Sequence, residues 1–147
     1  MRFNSSLITL DHMFYSLSNI TKIDFSKLDT SQTTGMDFMF YECKSLEYIN
    51  FTNINTSSVT IMKDVFSGCD KLTSLDLSYF DTSSVIDMSS MFYKCTSLKS
   101  LDLSNFSTRN VITVNSFISG CSNLTSINLS NFDTSSFETT SNMLKIV

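Results

Sequence analysis

The sequence has no proline, no tryptophan and only three glycines among its 147 residues. Turns that depend on proline's fixed φ or on glycine's freedom at positive φ are therefore nearly closed to it. Its corners must be made instead by serine and threonine, 28 and 17 in number, whose hydroxyls hydrogen-bond locally to the backbone. Histidine occurs once, at His12, with no second histidine, no nucleophile motif and no glycine-rich phosphate loop. No known catalytic constellation can be assembled from that set, and no enzyme is expected. Charge is sparse as well, at 16% of residues with a net value of -4 and no basic cluster. A footprint for a phosphate backbone is absent, so nucleic acid is not an expected partner. No stretch approaches the roughly 18 consecutive apolar residues of a membrane span, which argues against membrane insertion. Residues 1–7 carry one basic residue but lack the apolar run and small-residue cleavage site of a signal peptide.

What the chain has in place of turn punctuation is repetition. Cys43, Cys69, Cys95 and Cys121 follow one another at intervals of 26 residues. Three residues before them stand Phe40, Phe66, Phe92 and Ile118, a column that begins with Phe14 and ends with Leu144. Beside it run Met13, Met39, Val65, Met91, Phe117 and Met143. After the cysteine come further apolar columns: Leu46, Leu72, Leu98 and Leu124; Ile49, Leu75, Leu101 and Ile127; Phe51, Leu77, Leu103 and Leu129. A hydroxyl corner closes the unit, as in Thr30-Ser31, Thr56-Ser57, Thr82-Ser83 and Thr134-Ser135. No insertion or deletion disturbs the register. Residues 1–147 thus read as a single solenoid of about five 26-residue repeats that starts and ends inside a repeat, without evident caps. Solenoids need polar caps, so the expectation is either a piece of a longer protein or ends capable of end-to-end self-association.

The spacing changes character inside each unit. Leu75 and Leu77 are two apart, with Ser74, Asp76 and Ser78 facing the other way, which is the strand period. Val85, Met88, Met91, Phe92 and Cys95 follow the spacing of one helical face, and Ser84 with Asp87 makes a capping-box pattern before them. The expected fold class is an α/β repeat solenoid. One parallel strand per turn lies on a concave face, and short helical or 3-10 segments lie opposite. Strands roughly 4.7–4.9 Å apart give a slab on the order of 20–25 Å long over five turns.

At Cys95-Thr96-Ser97-Leu98-Lys99-Ser100-Leu101-Asp102-Leu103 the chain resembles a leucine-rich repeat. The fuller unit, Met91-Phe92-Tyr93-Lys94-Cys95 through Leu103-Ser104-Asn105-Phe106-Ser107-Thr108, resembles the BspA-like surface-protein repeat, also called the Mycoplasma lipoprotein-associated repeat. The likeness covers essentially the whole chain. It departs from the commoner leucine-rich repeat where that family has a ladder-forming asparagine. Here Leu28, Ile54, Phe80, Phe106 and Phe132 make a mostly aromatic spine. The resemblance implies an extracellular, cell-surface protein that recognises protein or glycan partners.

The residues that could carry chemistry each admit a plainer reading. The cysteines are placed to be a structural ladder: free cysteine behaves as a small buried hydrophobe, and Leu17 fills the same column in the first turn. A leucine replaces a packing residue, not half of a bridge. Zinc would need paired Cys-x-x-Cys spacing, which is missing, and no cofactor is expected. On the outward side of the strands, Asp24, Asn50, Asp76, Asp102 and Asn128 form a polar strip beside Tyr48, the one bulky aromatic there. Binding surfaces favour tyrosine, so this strip is the candidate binding face, while a merely solubilising face remains the alternative. One carboxylate per turn falls short of the roughly six to eight oxygens of a calcium site. Asn-x-Ser/Thr triplets at Asn4, Asn19, Asn50, Asn55, Asn105, Asn123 and Asn128 are expected in so hydroxyl-rich a repeat and say little of compartment. The leading expectation is a binding or adhesion module. A structural spacer or stalk of a longer surface protein, or an intracellular protein-interaction module suited to free cysteines, stands beside it.

Overall fold

The structure is a computed structural model that describes residues 7–145. Each 26-residue unit makes one turn of a solenoid, and equivalent residues of successive turns stack into columns. Where apolar and polar residues alternate, short strands form: β1 (Lys22–Asp24), β2 (Tyr48–Asn50), β3 (Ser100–Asp102) and β4 (Ser126–Asn128). β1 pairs in parallel with β2, Ile23 opposite Ile49, and β3 with β4, Leu101 opposite Ile127. The middle turn, with Ser74-Leu75-Asp76 at the same position, forms no strand, and the sheet is split into two two-stranded pieces.

The packing underneath accounts for the split. In the first two turns the strand supplies the aromatic ring, Phe25 and Phe51, and the corner is aliphatic, Leu28 and Ile54. From the third turn the order reverses: Leu77 with Phe80, Leu103 with Phe106, Leu129 with Phe132. Every turn keeps one aromatic and one aliphatic residue, so core volume is conserved. At the changeover, however, Phe51 and Phe80 meet edge to face across the turn, ring centroids 5.0 Å apart. Phe80 and Phe106 then lie 6.4 Å apart, wider than the 5.5 Å of the regular Phe40–Phe66 stack. Leu75 is partly buried, as are Ile23 and Ile127 in the outer strands, while Ile49 and Leu101 are 5% and 2% exposed.

Opposite the strands the expected helical segments are replaced by turns; among the described residues there is no helix. Two columns sit in the left-handed region, one running through Phe38, Asp64, Ser90 and Ser116, the other through Glu42, Gly68, Lys94 and Gly120. A left-handed residue at every fourth position terminates an α-helix. Alternate N–H groups instead close overlapping turns, as Tyr15 to the His12 carbonyl at 3.0 Å, or reach the neighbouring turn. Leu10, His12, Phe14 and Ser16 donate to the carbonyls of Gly35, Asp37, Met39 and Tyr41 at 2.7–2.9 Å. Spacing explains the choice. Helices side by side need about 8–10 Å, whereas turns joined by a parallel ladder sit about 4.8 Å apart. A ribbon of turns satisfies its backbone at the smaller distance. The bridges Thr9–Gly35–Ile61–Asp87–Thr113–Thr139 run through every turn without a break. The turn side is therefore joined through every turn, where the strand side is interrupted. Ser84 and Asp87 do not cap a helix. Ser84 Oγ donates to the Ser57 carbonyl at 2.8 Å, and Asp87 Oδ1 accepts the Ser89 N–H at 2.7 Å.

Two ladders hold the turns together inside. The four cysteines are free and buried. Each thiol donates to the carbonyl of the aromatic residue one turn back, Cys43 to Phe14 at 2.9 Å and Cys95 to Phe66 at 3.1 Å. Thr30, Thr56, Thr82 and Thr108 are buried at the corner. The Thr82 hydroxyl accepts the Ser107 N–H and donates to the Ser107 carbonyl, both at 2.9 Å. Thr56 does the same with Asp81, and Thr108 with Asp133. Threonine thus supplies the pairing between turns that an asparagine ladder would supply, and the spine of Phe80, Phe106 and the partly buried Phe132 packs against it.

Candidate functional site

The outward face of the strands carries three polar rows, and the backbone geometry gives each a different task. The Asp/Asn row ends the strands. Asp24, Asn50, Asp76, Asp102 and Asn128 each accept, through Oδ1, the N–H two residues further on, at 2.8–3.1 Å. These are Asx turns. Asn50 Nδ2 also donates to Asp24 Oδ1 at 3.1 Å, so the amides relieve the stacking of like charges. Hydrogen bonds from the backbone and hydroxyl of Ser26, Ser78 and Ser104 hold the carboxyls of Asp24, Asp76 and Asp102 below the ordinary aspartate range. The row is anionic, and one oxygen of each member is committed to its own chain.

The row before it is different. Tyr48 is 56% exposed and forms one wall of a shallow groove of about 480 Å³, with Lys22, Glu47, Lys71, Thr73 and Ser97. This volume is within the range of ligand clefts. The groove lies where the strand ladder opens. Glu47, Lys99 and Thr125 donate their N–H groups to the preceding turn at 2.9–3.1 Å. The equivalent N–H of Thr73 has no such partner among the described residues. A smaller recess of about 160 Å³ lies further along, between Asp76 and Asp102. Asn105 closes one side of it, with Nδ2 donating to the carbonyls of Leu77 and Phe80 at 3.0 Å each.

Charge is consequently segregated across the face. Lys22, Lys71 and Lys99, with Glu47 among them, lie at or before the start of the strand positions, and Asp24, Asp76 and Asp102 end them. Such a surface can orient a partner of complementary pattern. It offers no paired nucleophile and base. His12 lies on the turn side, stacked on Phe38 with centroids 5.0 Å apart. Among the described residues no group of histidine, cysteine, aspartate and glutamate is placed to hold a metal ion.

The strip residues read from the sequence are therefore on one face, but of them only Tyr48 lines the groove. Lys22, Lys71 and Thr73 were not singled out by pattern. Their signal is the shift of the aromatic residue from the Phe51 position to the Phe80 position, which opens the ladder beside them. The threonine column at the corner was visible as a repeat, and only its hydrogen bonds reveal it as a ladder.

A family model described as "Mycoplasma protein of unknown function, DUF285" matches residues 8–125 and 73–146. No curated protein matches the chain. Among solved structures, a leucine-rich repeat protein of T. pallidum is similar at a TM-score of 0.50 and 19% identity, over 87% of this chain and 65% of that one. A leucine-rich repeat protein of Bacteroides ovatus aligns at a TM-score of 0.43 and 21% identity, over 82% of this chain and 34% of that one. The chain thus spans less than two thirds of the length of either. The first likeness shows the fold: a leucine-rich-repeat solenoid.

Proposed function

Since the chain belongs to the DUF285 family of Mycoplasma proteins and is a BspA-like leucine-rich-repeat protein, we propose that it is a non-enzymatic binding module working at the cell surface. Its working surface is the strand-side groove at Tyr48, which receives an extended segment of a partner protein. The carrying observation is the exposed Tyr48 ring beside Lys22 and Lys71, where the ladder leaves backbone groups unpaired. An extended segment supplies main-chain partners for such groups, and alternate side chains supply specificity. The two lysines favour acidic residues in that segment.

The test is a binding screen of the purified chain against immobilised matrix proteins and a glycan array. For the partner found, Tyr48→Ala combined with Lys71→Glu is expected to weaken binding by about thirtyfold or more, as for an interface hot spot. Retention within twofold would rule out the groove. A stalk or spacer role has one observation in its favour: all five strip residues commit Oδ1 to the N–H two residues on in their own turn. On that reading the screen returns no partner, and replacing Asp76 and Asp102 changes stability only.

A further inference from the structure

On the outward face of the turn side one arrangement of residues recurs after two repeats, and its second occurrence lines a pocket. Tyr15 stacks on Tyr41, centroids 5.0 Å apart, but one turn later the column holds Ser67, then Tyr93, then Ser119, then Lys145. Each serine is a missing rung. Beside each serine a glycine, Gly68 or Gly120, lies in the left-handed region and lets the side chain of the turn before lean across it. A Cβ at Gly68 would lie 2.7 Å from Glu42 Oε1, and one at Gly120 would lie 3.1 Å from Lys94 Cγ.

The two occurrences share a backbone pattern and differ in charge. The first has Glu42 and Asp64 in the columns that flank the serine, and Tyr93 one turn on. Glu42 Oε2 is neutralised by Lys44 Nζ at 2.8 Å. In the second, Lys94 stands where Glu42 stood, Ser116 replaces Asp64, and Lys145 replaces the far tyrosine. The result is a pocket of about 340 Å³ with two ammonium groups, the hydroxyls of Ser116 and Ser119, the Asn142 amide and the Tyr93 ring, and, among the described residues, no acidic side chain in its lining. The Lys94 ammonium is 5.1 Å from the Tyr93 ring centroid, which keeps it over the recess rather than extended into solvent. In a chain of net charge -4, such a pocket selects for an anion.

We propose that this turn-side pocket binds an anionic sugar unit. Its carboxylate or sulfate lies between Lys94 and Lys145, its ring hydroxyls pair with Ser116, Ser119 and Asn142, and one face of the ring rests against Tyr93. A bare inorganic anion fills only a small part of the volume and leaves the hydroxyl and amide groups unused. A sugar ring matches both the volume and the number of neutral hydrogen-bonding groups. The site is independent of the groove at Tyr48, which lies on the opposite side of the solenoid.

The experiment is a titration of the purified chain, followed by amide chemical shifts, with four probes: glucuronic acid, N-acetylglucosamine 6-sulfate, glucose and inorganic sulfate. The two acidic sugars are expected to perturb the amides of residues 116–120 in a saturable way, with one of them tighter than the other. Glucose and inorganic sulfate should bind at least about tenfold more weakly, the ordinary worth of a charged hydrogen bond or of several neutral ones. Lys94→Glu, which places an acidic residue where the first occurrence carries Glu42, should abolish binding. Ser119→Tyr, which restores the missing rung, should do the same. Should either variant unfold, Lys94→Gln with Lys145→Gln changes only exposed side chains and is expected to weaken the acidic sugars by tenfold or more. Tyr48→Ala should leave them unaffected. The proposal is overturned if sulfate binds as tightly as the acidic sugars, if glucose equals glucuronic acid, or if the lysine variants bind as the parent does.

Discussion

Replacing Thr82 by valine tests whether the corner threonines hold the turns together. Valine matches threonine in shape, so the substitution removes one hydroxyl and leaves packing in place. That hydroxyl, on a residue 1% exposed, makes two bonds of 2.9 Å to the N–H and carbonyl of Ser107. Each buried group left without a partner costs about 1–3 kcal/mol. Ser107 is only partly buried, so the pair should come near the lower half of the sum, about 2–4 kcal/mol. The added methyl returns about 0.8 kcal/mol, leaving a net loss of about 1–3 kcal/mol. The repeat supplies its own control. Thr134 occupies the same column, is exposed, and makes no hydroxyl hydrogen bond among the described residues. Thr134→Val should therefore change stability by less than about 0.5 kcal/mol. Urea unfolding of the two variants and the parent, at unchanged slope, measures the difference. If the two valine variants unfold within about 0.5 kcal/mol of each other, the ladder does not stabilise the fold as argued.

Two further outcomes follow from buried groups. Burial, then the neighbouring charge of Asp11, raises the carboxyl of Asp37, whose Oδ1 is buried without a hydrogen-bond partner among the described residues. A carboxyl raised on folding binds its proton more tightly in the folded state, so its ionisation costs stability as pH climbs from the unfolded value towards the folded one. Asp37→Asn should accordingly stabilise the chain at pH 7, by no more than about 1 kcal/mol after screening, with the gain vanishing at pH 3; Asn115 already occupies that column, accepting the Ser141 N–H at 2.7 Å. Thermal melts at the two pH values decide it, and an equal gain at both would contradict the electrostatic cause. For the cysteines, burial pushes the Cys69 thiol well above its usual range and Cys43 upward. A thiol-reactive disulfide reagent should label none of the four until urea unfolds the chain, and prompt labelling without denaturant would show that the column is not closed.

Much of this fold was legible because its columns are spelled out in the sequence. The register from Met13 to Met143 places the core, and the replacement of cysteine by Leu17 in the first turn marks the cysteines as packing residues. The helical expectation failed for a specific reason. Val85, Met88, Met91, Phe92 and Cys95 point inward on a helix and equally on a ribbon of β-turns, since both return to one face every third or fourth residue. What separates them is the sign of φ at Ser90 and Lys94, residue types that do not advertise the left-handed region. Gly68, Gly120, Asn142, Asp64 and His12 in the same columns are the residues that hint at it. The Asx turns were written as Asp24-Phe25-Ser26 and its repeats, but a strand-face row of carboxylates was more readily seen as a surface than as a set of strand ends. The groove at Tyr48 depends on how Phe51 meets Phe80, a packing event between turns that single-column reading does not reach.

The ribbon of turns also gives the solenoid an electric direction. On that side most hydrogen bonds between turns run from an N–H in the earlier turn to a carbonyl in the later one, as Phe40 to Val65, Phe66 to Met91 and Phe92 to Phe117, all at 2.9 Å, while one per turn runs back, as Ile86 to Thr60 at 2.8 Å. Peptide dipoles of about 3.5 D aligned in this way add, as they do along a helix. The strand side contributes little, because Phe25 donates forward to Asn50 while Glu47 donates back to Thr21. The two outermost turns are therefore chemically unlike. Among the described residues, Thr140, Asn142 and Leu144 present N–H groups without acceptors, whereas Thr9, Asp11 and Met13 present carbonyls without donors. Through these groups, two edges of the same kind do not satisfy each other. They favour head-to-tail contact between such arrays, the heterologous arrangement that extends a filament instead of closing a symmetric pair.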